Sequence, residues 1–517
     1  MKKRIIALSV AAAMGGFAGT AAAQPSVPAG ISPAEVLVFN PQGVGHILYV
    51  PYFSTQQGNV TAINIVNTDT VNGKVLKVRF RGASNSDDLY DFQVFLSPGD
   101  VWTAGIAQGA DGRSRLDTSD ASCTLPSRVS GAFITGRLPS DGGVNETREG
   151  YVEILTMADI VKGADKSNQL ALYTATKHVK ASAPCTASVL TALTRENSSS
   201  YMAVPTTGIM ANWTIFNVQA GNYYAYSGEA SAIEAQATFG EPGWGNLVYW
   251  DQRSTPLTSS EINGFDPIGN FFAGYSNGNT ADPLIRDGLI SGARYDLPDL
   301  STPYLPNPAF VNFGCPFCQA TALSESIAAT EIAGEFYNLA SLGASTDWVV
   351  SFPTRRYFVA VDYTADTEED ALVFSSGNPW FNPSTMEQGN SANGGKEWQA
   401  CLKFGTGKLS FWSREEDKSI TDDIVISPGT PTQLSICGEV AVVGINVGAS
   451  TATFGSVART NASNGFVEGW GKLAAPDIFG MPLLARQFTR VSNTQTNVYY
   501  GLTYPAKRLG NAFFAPF

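Results

Sequence analysis

Residues 91–102 read Asp-Phe-Gln-Val-Phe-Leu-Ser-Pro-Gly-Asp-Val-Trp, and this stretch decides the fold class. Phe92, Val94 and Leu96 fall on one side of an extended chain, because successive side chains of a strand point to opposite faces. The four residues from Ser97 to Asp100 have the composition of a tight turn, and apolar residues resume at Val101. The stretch therefore predicts a strand, a turn and a second strand.

The same alternation extends to both sides of this stretch. Ile63 and Ile65 flank Asn64, while Val78 and Phe80 alternate with basic residues at positions 77, 79 and 81. Period-two alternation predicts strands with one buried face and one solvent face. Further strand patterns cover Tyr151–Leu155, Ala211–Val218, Trp348–Phe352, Arg356–Tyr363, Leu402–Trp412, Leu434–Val447 and Gln487–Thr503. Short strands divided by turn residues are typical of β-sandwiches.

The middle of the chain has a different composition. Residues 229–238 are rich in alanine, and residues 256–316 are rich in Gly, Pro, Asn and Asp. A helix ending near Gly343 is predicted by the spacing of Leu323, Ile327, Ala328, Ile332, Phe336 and Leu339. The expected fold is mainly β, with Ig-like or jelly-roll-like β-sandwich units and a loop-rich, partly helical central insertion. The expected organisation is a leader (1–23), an N-terminal β-sandwich region (24–228), the insertion (229–345) and a C-terminal β region (346–517).

The first residues have the pattern of a secretory signal peptide. Lys2, Lys3 and Arg4 precede an apolar run that ends in small residues at Ala23, so the mature chain should begin near Gln24. Beyond the leader we find no uninterrupted apolar stretch of about 18 residues, so no transmembrane helix is expected. The predicted location is outside the cytoplasm.

The negative net charge of the chain disfavours some classes of binding partner. The full chain has a formal net charge of -12, and loss of the basic leader would make it more acidic. Nucleic acids and anionic lipids are therefore disfavoured, since both require concentrated Lys and Arg. Divalent cations are favoured instead.

The six cysteines of an exported chain predict disulfides. Nearest-neighbour spacing favours Cys123–Cys185, Cys315–Cys318 and Cys401–Cys437, although the sequence leaves other connectivities open. Cys401 and Cys437 lie in segments that resemble strands of one sheet, where a cross-link is geometrically easy. Cys315 and Cys318 form a C-x-x-C motif, but the βαβ pattern of a thioredoxin-like fold is missing, so a local disulfide is preferred over redox activity.

Catalytic motifs are weak. Gly274–Gly278 matches G-x-S-x-G, but a hydrolase of that type needs a later histidine, and both His46 and His178 precede it. His46 is expected to pack in the core and His178 to lie on a solvated face. We therefore expect no enzyme activity and assign no catalytic residue.

Clustered acids suggest a calcium site. Ca²⁺ prefers carboxylate and carbonyl oxygens from loops. The strongest candidate is the group Asp366, Glu368, Glu369 and Asp370; two weaker groups are Asp111, Asp117 and Asp120, and Glu415, Glu416, Asp417, Asp422 and Asp423. Solvated loop charges explain the same residues, so calcium is a possible rather than a required cofactor.

Three segments look like signatures of a family of exported cell-surface proteins of Gram-negative bacteria. They are Asp91–Trp102, Arg148–Ile154 and Ser345–Arg355. The family includes surface-layer-like proteins, and those associated with nanopod tubes in beta-proteobacteria are the most similar in pattern. The resemblance implies a structural protein that self-assembles into a surface layer or tubular array. The protein would bind further copies of itself in a head-to-tail contact. It would also bind an unidentified component of the cell surface.

Two other functions remain open from the residues. Trp244, Trp250, Trp380 and Trp398 could stack on sugars, which would suit a secreted polysaccharide-binding module or hydrolase. The terminal Phe517 resembles the end of an outer-membrane β-barrel, but Pro505, Pro516 and the pair Lys507 and Arg508 interrupt the alternation that a barrel strand requires.

Overall fold

A computed structural model of the chain consists mostly of β-strands and contains several sheets, which confirms the predicted mainly β, sandwich-rich fold class. It describes residues 26–134, 143–163, 167–194, 197–219, 223–247, 249, 252, 316–361, 372–374, 379–391, 393, 395–405, 407–420, 434–446, 454–455, 457–462 and 464–511. The predicted leader and the centre of the predicted insertion lie outside these residues.

The N-terminal half contributes two sheets. Nine described strands form sheet I, in the order Ser32–Pro33, Glu241–Trp244, Ser231–Thr238, Ile47–Ser54, Glu149–Ile160, Gly73–Gly82, Asp88–Leu96 and Cys123–Leu125, with Val36–Asn40 also paired to Ser231–Thr238. Six form sheet II, in the order Gly131–Ala132, Ser114–Asp117, Val101–Gln108, Val60–Asn67, Ile209–Asn217 and Tyr224–Glu229.

The C-terminal half adds two more. Sheet III has the order Lys418–Ile420, Leu409–Ser413, Glu468–Ala474, Ala328–Tyr337 and Met481–Pro482, with Lys507–Asn511 also paired to Ala328–Tyr337. Sheet IV has the order Arg459–Ala462, Val440–Ile445, Ala344–Ser351, Leu484–Asn493 and Val498–Pro505. Small sheets pair Val359–Val361 with Leu372–Phe374, and Met386–Gln388 with Ala400–Gly405 and Leu434–Cys437. The α-helices among the described residues are Ser167–Thr176, Ala187–Leu190, Ser198–Tyr201 and Pro316–Ile327, and the 3₁₀ turns are Gln56–Gly58, Val144–Arg148, Ala340–Leu342 and Arg355–Tyr357.

The deciding stretch carries the chain from sheet I to sheet II. Asp100 donates its backbone N–H to the Ser97 carbonyl at 3.1 Å, and Gly99 adopts a φ of 72°, which a side chain would disfavour. Phe92 on the first sheet meets Trp102 on the second, with ring centroids 5.3 Å apart. The two sheets therefore pack face to face, as the alternation predicted.

One predicted solvent face is wrong. Asn64 is exposed as expected, but Lys77, Arg79 and Arg81 on strand Gly73–Gly82 are fully buried. Arg81 pairs with Glu153 on the neighbouring strand at 3.1 Å, and Arg356 from the C-terminal half approaches the same carboxylate at 3.9 Å, so further chain covers this face of sheet I. The basic residues therefore line an interior polar layer rather than a surface.

The predicted helix over residues 323–339 is also partly wrong. A helix ends at Ile327, and the chain continues as strand Ala328–Tyr337, paired with Glu468–Ala474. Ile332 and Phe336 are four residues apart, so their spacing fits one face of a strand as well as one face of a helix. The alanine-rich residues after 229 likewise form strand Ser231–Thr238 in sheet I.

Most of the predicted C-terminal strands are confirmed. Strands overlap each of the ranges that begin at 348, 402, 434 and 487. The range 356–363 differs, since Arg355–Tyr357 is a 3₁₀ turn and the strand covers Val359–Val361.

Two predicted disulfides are present. Cys123 and Cys185 have Cα atoms 5.2 Å apart, and Cys401 and Cys437 have Cα atoms 3.8 Å apart on directly opposed strand positions. The third prediction involves Cys315, which lies outside the described residues. The two bonds indicate a non-reducing environment.

Arg355 joins the two halves of the molecule inside the protein. Its guanidinium forms an ion pair with Glu439 at 2.5 Å, and both side chains are almost fully buried. It also donates to the carbonyls of Ala400 and Gly438, each at 2.9 Å, and to that of Ser84 at 3.2 Å. One side chain thus holds the turn between strands Gly73–Gly82 and Asp88–Leu96 of sheet I against strand Ala400–Gly405 and the turn that follows strand Leu434–Cys437.

Glu149 makes a second buried link between the halves. Its carboxylate accepts hydrogen bonds from the Tyr52 hydroxyl at 2.5 Å and from the backbone N–H groups of Gly455 at 2.7 Å and Val457 at 2.9 Å. Burial raises the pKa of Glu149 above its ordinary value of 4.5, and these hydrogen bonds oppose that rise only in part.

The raised pKa of Glu149 gives a test by pH. Above pH 4.5 the unfolded chain ionises before the folded one, so the stability that Glu149 contributes is complete below that pH and is lost as pH rises through the folded pKa. We expect the stability advantage of the wild type over Glu149→Gln to shrink with rising pH, by at most about 1.4 kcal/mol per pH unit. Urea unfolding of both proteins from pH 4 to 8 measures this. An advantage that grows with pH would contradict it.

Candidate functional site

The sheet edges differ in length. Most edge strands of the described sheets are short, namely Ser32–Pro33, Cys123–Leu125, Gly131–Ala132, Lys418–Ile420 and Arg459–Ala462. The edge strand of sheet IV, Val498–Pro505, has eight residues. Natural proteins usually shorten or charge such edges, because an unpaired strand can pair with another chain. Val498–Pro505 is therefore the edge strand most suited by its length to pair with another chain.

The outer face of that strand is apolar and exposed. Val498, Tyr500, Leu502 and Tyr504 are 41%, 43%, 40% and 52% exposed, respectively. These four residues, here called the edge stripe, occupy alternate positions and so share one face. A continuous stripe of this kind differs from the scattered single apolar residues found on most surfaces.

The inner face of the same strand is used within the molecule. Tyr499 packs against Tyr223 with ring centroids 6.0 Å apart, and Gly501 lies so close to the Ala225 carbonyl that a Cβ would come within 2.6 Å of it. Strand Val498–Pro505 thus covers Tyr224–Glu229, the edge strand of sheet II. On the other side of Val498–Pro505, away from Leu484–Asn493, the described residues form no further strand.

A second exposed surface lies on sheet III. Trp412 and Trp470 occupy opposed positions on neighbouring strands and stack in parallel, with ring centroids 4.1 Å apart. Trp470 is 39% exposed, and Tyr337, on the next strand, is 40% exposed. The Lys418 ammonium lies 5.6 Å from the Trp412 ring centroid. We call Tyr337, Trp412 and Trp470 the aromatic face.

Charged side chains surround the aromatic face. Arg414 pairs with Glu468 at 2.5 Å, and Lys472 pairs with Glu331 at 2.8 Å. The Tyr337 hydroxyl donates to Glu335 at 2.9 Å. Partial burial and this hydrogen bond to a carboxylate raise the pKa of Tyr337, so its hydroxyl remains a donor at neutral pH.

The two surfaces adjoin at Gln487. Its side-chain carbonyl accepts the Glu335 backbone N–H at 2.6 Å, and its backbone is directly opposite Tyr504. Sheet III thus covers the inner part of sheet IV and leaves the edge stripe uncovered. The edge stripe is apolar, whereas the aromatic face is mixed with charge.

The main group of residues predicted for calcium is not part of the described structure. Asp366, Glu368, Glu369 and Asp370 all lie outside the described residues. In the weaker group that begins at Asp111, Asp111 pairs with Arg113 at 2.6 Å and Asp117 with Arg115 at 3.3 Å. No cluster of three or more His, Cys, Asp or Glu side chains that could hold a metal occurs in the described part of the chain.

The histidines take two different positions. His46 is buried, as predicted, and its ring accepts the Ala235 backbone N–H at 3.1 Å. Burial lowers the pKa of His46 to about 3, so it is neutral at physiological pH. His178, predicted on a solvated face, is half-buried, with its side chain 22% exposed and 3.1 Å from Asp100.

The proposed sugar-stacking tryptophans that the structure describes make separate contacts, and the Trp398 ring lies 5.4 Å from the Lys396 ammonium. Trp380 is buried in the core, and Trp244 donates to the Ile31 carbonyl at 3.1 Å. Trp250 and the G-x-S-x-G motif lie outside the described residues. Sequence reasoning missed Trp412 and Trp470, although Trp470 falls at period two with Glu468 and Lys472, which could have marked it as part of an exposed strand face.

A groove of about 340 Å³ lies beside Asp159 and Thr206. The Thr206 hydroxyl donates to Asp159 at 2.5 Å, and the buried Lys74 ammonium pairs with the same carboxylate at 2.8 Å. These groups bind one another and hold residues 205–208 against sheet I.

No protein-family model, curated protein or solved structure matches this chain. None of the described helices is long and apolar enough to cross a membrane. The fold and its surfaces together define a disulfide-bonded, multi-sheet β-sandwich protein with an open sheet edge.

Proposed function

We propose that this is an exported structural protein that assembles with copies of itself into a layer or array at the surface of a Gram-negative cell. The observation that carries the proposal is the edge strand Val498–Pro505, which is long, free along its outer edge within the described residues and apolar on its outer face. The secretory leader pattern and the disulfides support the location.

The contact we propose is antiparallel pairing of this strand with the same strand of a second copy. Such pairing would satisfy free backbone groups and would join two copies of sheet IV into one continuous sheet. The edge stripes of the two copies would then lie side by side on one face. Because a contact of this kind is two-fold symmetric and closes, growth of an array requires a further head-to-tail contact.

Lysines within the edge stripe test this contact. The double variant Tyr500→Lys/Leu502→Lys places like charges opposite each other in the paired strands, and we expect the self-association constant to fall about 10- to 100-fold. Sedimentation equilibrium of the wild type and the variant measures the change.

A matched control is available on two other exposed apolar residues. Phe239 and Ile478 are 78% and 85% exposed and lie outside the edge strand, so Phe239→Lys/Ile478→Lys adds the same charge elsewhere. The control should associate as the wild type does. Equal association of all three proteins, or a wild type that stays monomeric at high concentration, would refute the proposal.

A further inference from the structure

We propose that the aromatic face of sheet III is a binding site for an uncharged polysaccharide. Sugar rings present C–H groups on their faces and hydroxyl groups at their edges, so they bind where exposed aromatic side chains stand among hydrogen-bonding groups. Trp412, Trp470 and Tyr337 supply the aromatic surface on three neighbouring strands.

The charges around this face favour a neutral ligand. Three basic side chains (Arg414, Lys418 and Lys472) lie among four carboxylates (Glu331, Glu335, Glu415 and Glu468), so the two signs are mixed and the formal excess is a single negative charge. An anionic or cationic polymer would gain from one set and be repelled by the other. A polyol can accept from the basic groups and donate to the carboxylates without a net charge mismatch.

The same mixture argues against a second copy of the chain as occupant. The centres of protein–protein interfaces are depleted in charged residues, whereas every aromatic residue of this face has a charged neighbour. Tyr337 bonds Glu335, Trp412 contacts Lys418, and Trp470 lies on the strand between Glu468 and Lys472. The apolar edge stripe, by contrast, suits self-association.

The site extends over a strip rather than a pocket. Trp412, Trp470 and Glu335 occupy opposed positions across three strands, and Tyr337 lies diagonally beside Trp470. A chain of several sugar units can therefore run across the strands. A polysaccharide at this face would attach a coat to the cell envelope without using the assembly contact.

The experiment is a retention assay on insoluble cellulose and chitin, with alginate as an anionic polymer. It uses the full mature chain carrying Tyr500→Lys/Leu502→Lys, so that polysaccharide binding is measured independently of self-association. We expect retention on at least one neutral polymer, no retention on alginate, and at least a tenfold weaker binding constant for Trp470→Ala. Phe239→Ala, which removes a 78% exposed aromatic residue elsewhere, should bind unchanged.

The other outcomes overturn the inference. Retention on neither neutral polymer would do so, as would equal binding by the Trp470→Ala and Phe239→Ala variants. If Trp470→Ala instead weakened self-association of the otherwise wild-type chain while leaving retention unchanged, the aromatic face would belong to an interface between copies. Circular dichroism of each variant checks that loss of binding does not reflect loss of fold.

Discussion

Replacing Arg355 by methionine is expected to lower the free energy of unfolding by about 3–5 kcal/mol. The substitution leaves the buried Glu439 carboxylate without its ion-pair partner, and an unpaired buried charge is costly. It also removes the donors to the carbonyls of Ala400, Gly438 and Ser84. The midpoint and slope of urea unfolding, followed by tryptophan fluorescence, measure the loss.

A second variant separates charge from hydrogen bonding. Arg355→Met/Glu439→Gln removes both charges, so it should regain part of the stability that the single variant loses, but the guanidinium hydrogen bonds to the three carbonyls are still missing. Arg115→Met is the matched control, because Arg115 and Asp117 form an ion pair at 3.3 Å with side chains 47% and 65% exposed. Its cost should be about 0–1 kcal/mol. If Arg355→Met cost as little as Arg115→Met, Arg355 would not hold the two halves of the molecule together as described.

Much of the fold could be predicted because local pattern and final structure agree. The composition of Ser97 to Asp100 predicts a tight turn, and the structure has one there, closed by the hydrogen bond from the Asp100 N–H to the Ser97 carbonyl. Ile63 and Ile65 are buried on one face of their strand, as their alternation predicts. Cys401 and Cys437 were expected on neighbouring strands, and they lie directly opposite each other. In these cases the deciding contacts are short-range or follow from strand period alone.

The buried basic residues could not be placed by pattern. Alternation shows that Arg79 and Arg81 share a face, but it does not show whether further chain covers that face. Asp88 and Asp91 reach this layer from the next strand, but Glu153 comes from 72 residues beyond Arg81. An alternating strand in a protein of several layers can therefore be buried on both faces, with ion pairs in place of water.

The candidate surfaces were missed for a related reason. In Val498–Pro505 the apolar residues Val498, Tyr500, Leu502 and Tyr504 would by pattern be the buried face, yet they are the exposed one. Packing against Tyr223 and Ala225 selects the opposite face, where Gly501 permits close approach. Pattern identifies two faces of a strand, and tertiary packing decides which of them meets solvent.

Replacing Phe488 by alanine is the other change with a large expected effect, a loss of about 3–5 kcal/mol in the free energy of unfolding. Phe488 is fully buried on strand Leu484–Asn493 of sheet IV. Its ring centroid lies 5.3 Å from those of Tyr226 and Phe454, 5.9 Å from that of Trp213 and 6.0 Å from that of Tyr52. The cavity would therefore open where sheets I, II and IV meet.

Because the Phe488 ring lies where the sheets meet, the same variant also tests whether the two halves of the molecule unfold together. Because one continuous core contains residues of all four sheets, the loss at Phe488 should lower the unfolding midpoints of the N-terminal and C-terminal halves together. Hydrogen exchange of the strands Ile209–Asn217 and Ala344–Ser351 reports on the two halves separately. Phe488→Leu should lose less, since it leaves a smaller cavity, and the exposed Phe239→Ala should change stability by no more than about 0.5 kcal/mol. If exchange accelerated in sheet IV alone, the two sandwiches would be independent units, and the shared aromatic junction would not couple them.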